Sequence, residues 1–176
     1  MRVAPLLVAA LLLVACGGGS SPTKTASGTP APASSPIDLT SLDACGLVPV
    51  ATASQLVGAP VFQVSTSASA ATAFCVYAST RSTEGVAVFV QQTPGGDAKK
   101  VVQAALTTNA APSARLSTAV SGIGDAAGTK TDAHDAAVVF AKHNLLVVLT
   151  ATAAGRSGSD LLSRLEPIAK HVAAKL

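Results

Sequence analysis

Apolar and polar residues change their spacing several times along the chain, and each change marks an element. From Val3 to Val14 no polar side chain interrupts the sequence, behind a single charge at Arg2 and ahead of the small residue Ala15. A charged start, a short apolar run and a small residue at the cut form the order of a secretory signal. Spanning a bilayer takes roughly 20 apolar residues; this run is shorter and carries Pro5. Residues 1–15 are therefore predicted to be removed, with cleavage between Ala15 and Cys16. From Gly17 to Pro36 periodicity disappears, and the tract is almost wholly Gly, Ser, Thr, Pro and Ala. So few apolar side chains cannot offset the entropy of ordering, so residues 16–36 read as a solvated tether with a mean reach on the order of 25 Å.

Periodicity returns after Pro36, and residues 37–176 are the size of one domain. Between Asp43 and Val61, Pro49 stands at a helix start and Gly58 where a left-handed C-terminal residue is wanted. Val61 to Ser65 alternates, Ala73 to Ser79 is β-branched and aromatic, and Val86 to Gln92 is apolar on both faces. These predict three strands joined by polar turns, the third of them central in its sheet. Pro94-Gly95-Gly96 is a turn, Asp97 an N-cap, and Val101, Val102, Ala105 and Leu106 repeat at helical spacing. Ala114 to Val120 is a weak strand, followed by a turn-rich stretch to Asp135. Ala136–His143 and Leu145–Thr152 predict a hairpin turning at His143-Asn144, with Asn taking the positive φ. The last element is a helix capped at Ser157 or Ser159, with Leu161, Leu165, Ile168, Val172 and Leu176 on one stripe. Pro167 interrupts it, as a kink or as the start of a new helix. The sum is an α+β fold: an antiparallel sheet of about five to six strands with two to three packed helices and one disulfide.

Leu13-Val14-Ala15-Cys16 resembles the lipobox of bacterial lipoproteins. The resemblance implies that the Cys16 thiol carries a diacylglyceryl group through a thioether and becomes the mature N-terminus. Two acyl chains, at about 0.8 kcal/mol per buried methylene, make a durable anchor where one chain does not. With Cys16 assigned to lipid, Cys45 and Cys75 form an even pair. Outside the cytoplasm such a pair is expected to be oxidised, contributing about 3 kcal/mol chiefly by restricting the unfolded chain.

Charge narrows the choice of partners. The chain has 12 Lys+Arg against 9 Asp+Glu, with Lys99-Lys100 the sole adjacent basic pair. No clustered basic field exists to steer nucleic acid. Aromatics number one Tyr and four Phe, with no Trp. Because they fall in strand-like runs, the core is expected to claim most of them, which argues against a glycan or nucleic-acid reader.

Candidate chemistry is thin. Gly122-Ile123-Gly124-Asp125-Ala126-Ala127-Gly128 has the wrong spacing for a dinucleotide loop and reads as a turn feeding a strand. Asp132, His134 and Asp135 are metal-capable types, but three crowded ligands in one turn seldom converge on an ion, so no metal site is assigned. His143 reads as a turn residue and His171 as a helix-surface residue. Gly155-Arg156-Ser157-Gly158-Ser159 misses the nucleophile-elbow pattern, leaving Ser157, Glu166 and His171 as the sole triad-like set. No catalytic residue and no cofactor are predicted.

Asp43-Ala44-Cys45-Gly46-Leu47-Val48, Phe74-Cys75-Val76-Tyr77, the Gly122–Ala127 turn and the terminal amphipathic helix resemble, together, the small exported lipoproteins of actinobacteria. The resemblance spans nearly all of residues 38–176 and implies a disulfide-linked α+β domain without implying an activity. Expected, then, is a cell-membrane lipoprotein on the extracytoplasmic face. Its domain would be a non-catalytic binding or interaction module with an envelope protein as partner. The alternatives are a carrier of a hydrophobic small molecule or lipid and, third, a hydrolase.

Overall fold

Among the described residues, four helices and seven strands follow one another in the order α1 (Ala44–Leu47), α2 (Val50–Val57), β1 (Val61–Ala68), β2 (Thr72–Ser79), β3 (Gly85–Gln92), α3 (Ala98–Ala105), β4 (Thr118–Val120), β5 (Ala126–Thr131), β6 (Asp135–Lys142), β7 (Leu145–Thr152) and α4 (Gly158–Lys175). The computed structural model describes residues 37–80, 83–93, 95–107, 110–111 and 113–176. The stretches expected to be an export signal (1–15) and a tether (16–36), with Ala15 and Cys16, lie outside them, as does Pro94. All the strands lie in one antiparallel sheet, ordered β1-β2-β3-β7-β6-β5-β4. Two meanders, β1–β3 and β4–β7, are joined where β3 pairs with β7.

The architecture is α+β, with seven strands where five to six were expected and four helices where two to three were expected, the four-residue α1 standing apart from α2. The additional strand is β5, inside the stretch that reads as turns. Its sequence is AAGTKT, and the glycine hides its strand character. Gly128 is there for space: a Cβ would sit 2.7 Å from Leu116 Cδ1 and 3.0 Å from Leu106 Cδ2. β1 also outruns its apolar alternation, continuing through the hydroxyl-rich Ser65–Ala68 after a bulge between Gln63 and Ser65. Thr66 Oγ1 donates to the Phe74 carbonyl at 3.1 Å, so side-chain polarity here supports the pairing.

One face of the sheet holds the main core. Val86, Val88 and Val90 of β3 alternate inward and stand beside Ala151, Leu149 and Val147 of β7. The same β7 residues face Ala136, Val138 and Phe140 of β6 on their other side. α4 closes this layer over β6 and β7 with Leu161, Leu165, Ala169 and Val172, all essentially inaccessible. α1 and α2 close it over β1–β3 with Leu47, Ala53 and Leu56. Each buried Leu or Val among them contributes about 1.5–3 kcal/mol by leaving water.

The helix ends follow their sequence signals. Asp97 and Ser157 cap α3 and α4, accepting from Lys100 N and Asp160 N. Gly58 ends α2 at φ 80°, where a side chain would be strained and would strike the Arg156 guanidinium. α4 continues as a single helix through Pro167, so no new helix begins there. At the β6–β7 turn His143, not Asn144, takes the positive φ, at 55°. The tight turn needs that geometry at its first central position, and the Asp125 carboxylate secures it by accepting from His143 N at 2.6 Å.

Candidate functional site

Cys45 and Cys75 form the disulfide, with Cα atoms 5.1 Å apart, tying α1 to the interior of β2. Two residues further on, Tyr77 reaches the same helix pair: its hydroxyl lies 3.1 Å from the Cys45 carbonyl and 2.9 Å from that of Val48. Burial, with the nearby Asp43 carboxylate second, raises the Tyr77 pKa above its usual value. A neutral phenol is what two carbonyl acceptors require. This constellation is a fastening, with both sulfurs consumed and the hydroxyl committed.

The remaining polar candidates are also spent on architecture. His134 Nδ1 lies 2.8 Å from the Arg156 carbonyl, and Asp135 accepts from the Thr152 hydroxyl at 2.5 Å. The turn from Asp132 to Asp135 seats the start of α4: Gly158 N donates to the Ala133 carbonyl, and a Cβ on Gly158 would lie 2.0 Å from the Asp132 oxygen. Arg156 and Arg164 both bind the Asp160 carboxylate, at 2.8 and 3.0 Å. Those hydrogen bonds hold the Asp160 pKa below the ordinary carboxylate value. Among the described residues no group of three His, Cys, Asp or Glu is arranged to hold a metal ion. The Gly122–Gly128 stretch serves the β6–β7 turn. Gly122 and Gly124 take positive φ, and Asp125 binds both the Ala141 carbonyl, through its N–H, and His143 N. Ser157 caps α4 and His171 lies fourteen residues along that helix, about 20 Å away at 1.5 Å per residue, so these two do not meet.

The part of the sheet that the described helices leave open is apolar. On the face opposite the main core, α3 and Leu116 cover β5, β6 and one end of β7 through Ala98, Val102, Ala105 and Leu106. The cross-strand row Phe74–Phe89–Val148–Val139 runs along this face from β2 to β6. Only its Val139 end packs against the α3 cluster. Phe74, Phe89 and Val148 are partly accessible, and Phe62, at the neighbouring corner, is 51% exposed. The expectation that the core claims most aromatics is thus corrected: Tyr77 and Phe140 lie in it, while Phe62, Phe74 and Phe89 lie on the other face. The alternation in Thr72–Ser79 and Gly85–Gln92 carried that signal, since both faces of each strand are apolar.

Surface depressions lie on both sides of the sheet. One of about 300 Å³ lies between α1–α2 and α4, lined by Leu47, Pro49, Ile168, His171 and Lys175 among others. The second, about 180 Å³, is lined by Lys130, Asp132, Asp135 and Thr152 with their neighbours in β6 and β7. Among the described residues no helix is long and apolar enough to cross a membrane. No known protein family, curated protein or solved structure matches the chain.

Proposed function

We propose that the chain is an extracytoplasmic lipoprotein, anchored through acylated Cys16 and lifted from the membrane by the Gly17–Pro36 tether, whose domain is a non-catalytic binding or interaction module of the cell envelope. The observation that carries this reading is the apolar sheet face at Phe62, Phe74, Phe89 and Val148, set against polar groups already committed to caps and turns. Exposed contiguous apolar surface marks interaction sites in folded proteins. The lipobox and the resemblance to small actinobacterial envelope lipoproteins support the location.

A second reading, a carrier of a hydrophobic small molecule or lipid, is favoured by the depression beside α4. Its volume is at the low end for ligand sites, and Leu47, Pro49, Pro167 and Ile168 give it an apolar lining. Two experiments on the full chain test these readings. Fractionation of cells should find wild type in the membrane and Cys16→Ala released or unprocessed; an unchanged distribution defeats the anchor. A photoreactive residue at Phe89 should give discrete adducts in the envelope, and none from an exposed polar control at Thr131. Absence of any Phe89 adduct defeats the interaction surface, and lipid extracted with the purified chain favours the carrier.

A further inference from the structure

We propose that the groove between α1–α2 and α4 holds a single-chain amphiphile with a carboxylate head, the chemistry of a medium-chain fatty acid. The inference rests on the carrier reading of that groove and names what is carried. The lining divides by chemistry. Leu47 is buried and Ile168 half-buried, so they form the apolar bottom, and the exposed rings of Pro49 and Pro167 form the sides. Proline has no N–H, so neither ring brings a donor that an apolar tail would leave unsatisfied. The titratable side chains of the lining, His171 and Lys175, both offer N–H donors and stand four residues apart on one face of α4. Thr52 adds a hydroxyl. Among the described residues no carboxylate side chain lines the groove. Asp43, the acid closest along the chain to α1, is committed to its cap, accepting from Gly46 N at 2.9 Å. An apolar trough with donors and no acid selects an oxyanion head over a cationic one.

Charge and size narrow the ligand further. Lys175 brings one permanent charge without a guanidinium fork, which suits the single charge of a carboxylate better than a phosphate. The last carbonyls of α4 carry partial negative charge, so the head belongs beside the helix, between the two donors, and not on its axis. Lys175 Nζ rests 3.2 Å from the Gly46 carbonyl, and both residues are exposed, so it turns to a head group without stranding a buried partner. A volume of about 300 Å³ is the lower bound for small-molecule sites, which admits one short tail and not the two of a diacyl lipid. The α1 side of the groove is also set in advance. A helix of 4 residues does not hold itself, yet α1 is fixed by the Cys45–Cys75 bond and by the Tyr77 hydroxyl on the Cys45 and Val48 carbonyls. A wall already rigid costs little ordering when a ligand enters.

The test uses the full acylated chain in phosphatidylcholine nanodiscs and a diazirine-bearing decanoic acid, with adducts located by peptide mass spectrometry. Illumination should label residues 47–52 and 167–175. Unlabelled decanoate should compete, and decanol and decyltrimethylammonium should not. Lys175→Glu should lower the labelling at least about tenfold, since a charge-assisted hydrogen bond becomes a repulsion. Pro49→Asp should do the same from the opposite wall, and Asp suits that N-cap position, so its effect does not come through a weakened fold. Lys175→Arg should retain the labelling, and Lys170→Glu, exposed on α4 but outside the lining, should leave it unchanged. Urea unfolding of each variant separates lost binding from lost fold. Adducts confined to other segments, labelling that survives both Lys175→Glu and Pro49→Asp, or labelling lost equally with Lys170→Glu overturns the proposal. Decyl phosphate competing better than decanoate, or a diazirine-bearing decanol labelling the walls where the acid does not, overturns the carboxylate head and leaves the carrier reading standing. No adduct on either wall from acid or alcohol removes both.

Discussion

The two wings of the sheet are built by different means. Around β5 and β6 the sheet is sandwiched, with α4 on one face and α3 with Leu116 on the other, and no covalent link is used there. Among the described residues, helices cover only one face around β1 and β2, and this wing carries the Cys45–Cys75 bond and the Tyr77 anchor. The wing with less buried surface is the one fastened by a cross-link and a buried phenol. A second layer of side chains and a staple thus serve as alternative routes to the same stability, and the stapled route leaves a face free for contact.

The largest expected effect tests whether position on one face or the other decides what an aromatic does. Phe140→Ala, in the sandwiched wing and fully buried, should cost about 3–5 kcal/mol in urea unfolding, while Phe62→Ala should be close to neutral. Equal losses would erase the distinction. Next, the double variant Cys45→Ala/Cys75→Ala should lose about 3 kcal/mol. Hydrogen exchange should show the loss of protection concentrated in β1 and β2; a uniform loss across the sheet would show that the staple has no local role. Tyr77→Phe follows, at about 1–3 kcal/mol, because the Cys45 and Val48 carbonyls would lose their donor inside the protein.

The smallest effect concerns pH and falls on the opposite wing. Asp160 has its pKa lowered in the folded state by Arg156 and Arg164. A lowered carboxylate pKa gives stability that is present above the unfolded value, near pH 4, and is lost as pH falls through the folded value. Acid should therefore loosen the start of α4 and the Asp132–Asp135 turn, whereas reductant loosens β1 and β2. Asp160→Asn should flatten the acid limb of a stability-versus-pH curve, and an unchanged limb would contradict the assignment.

Most elements were legible because their signals are local. Asp97, Ser157 and Gly58 mark helix ends by side-chain or backbone chemistry that needs no tertiary context, and cysteine parity pointed to the Cys45–Cys75 bond. β5 was hidden because Gly128 is selected by Leu106 and Leu116 packing over it, a long-range requirement that reads locally as a turn. His143 displaced Asn144 at the positive-φ position for the same kind of reason, since the Asp125 carboxylate that fixes it comes from eighteen residues away. The open face was half legible: the strands are visibly apolar on both sides, but which side lacks a cover depends on how far α3 reaches across the sheet.

The strand order β1-β2-β3-β7-β6-β5-β4 also bears on how the chain finds its fold. Every strand pairing except β3 with β7 joins neighbours in sequence, so each meander can assemble by closing short loops. The β3–β7 seam is the single step that brings distant segments together, and it carries the largest entropic barrier. We hypothesise that β3–β7 contacts dominate the folding transition state. Truncating Val88 or Leu149 should then slow refolding, whereas truncating Leu39, outside both meanders, should mainly speed unfolding; the reverse pattern would rule this order out. A late-closing seam would leave two half-sheets with bare edges in the interval before they zip together.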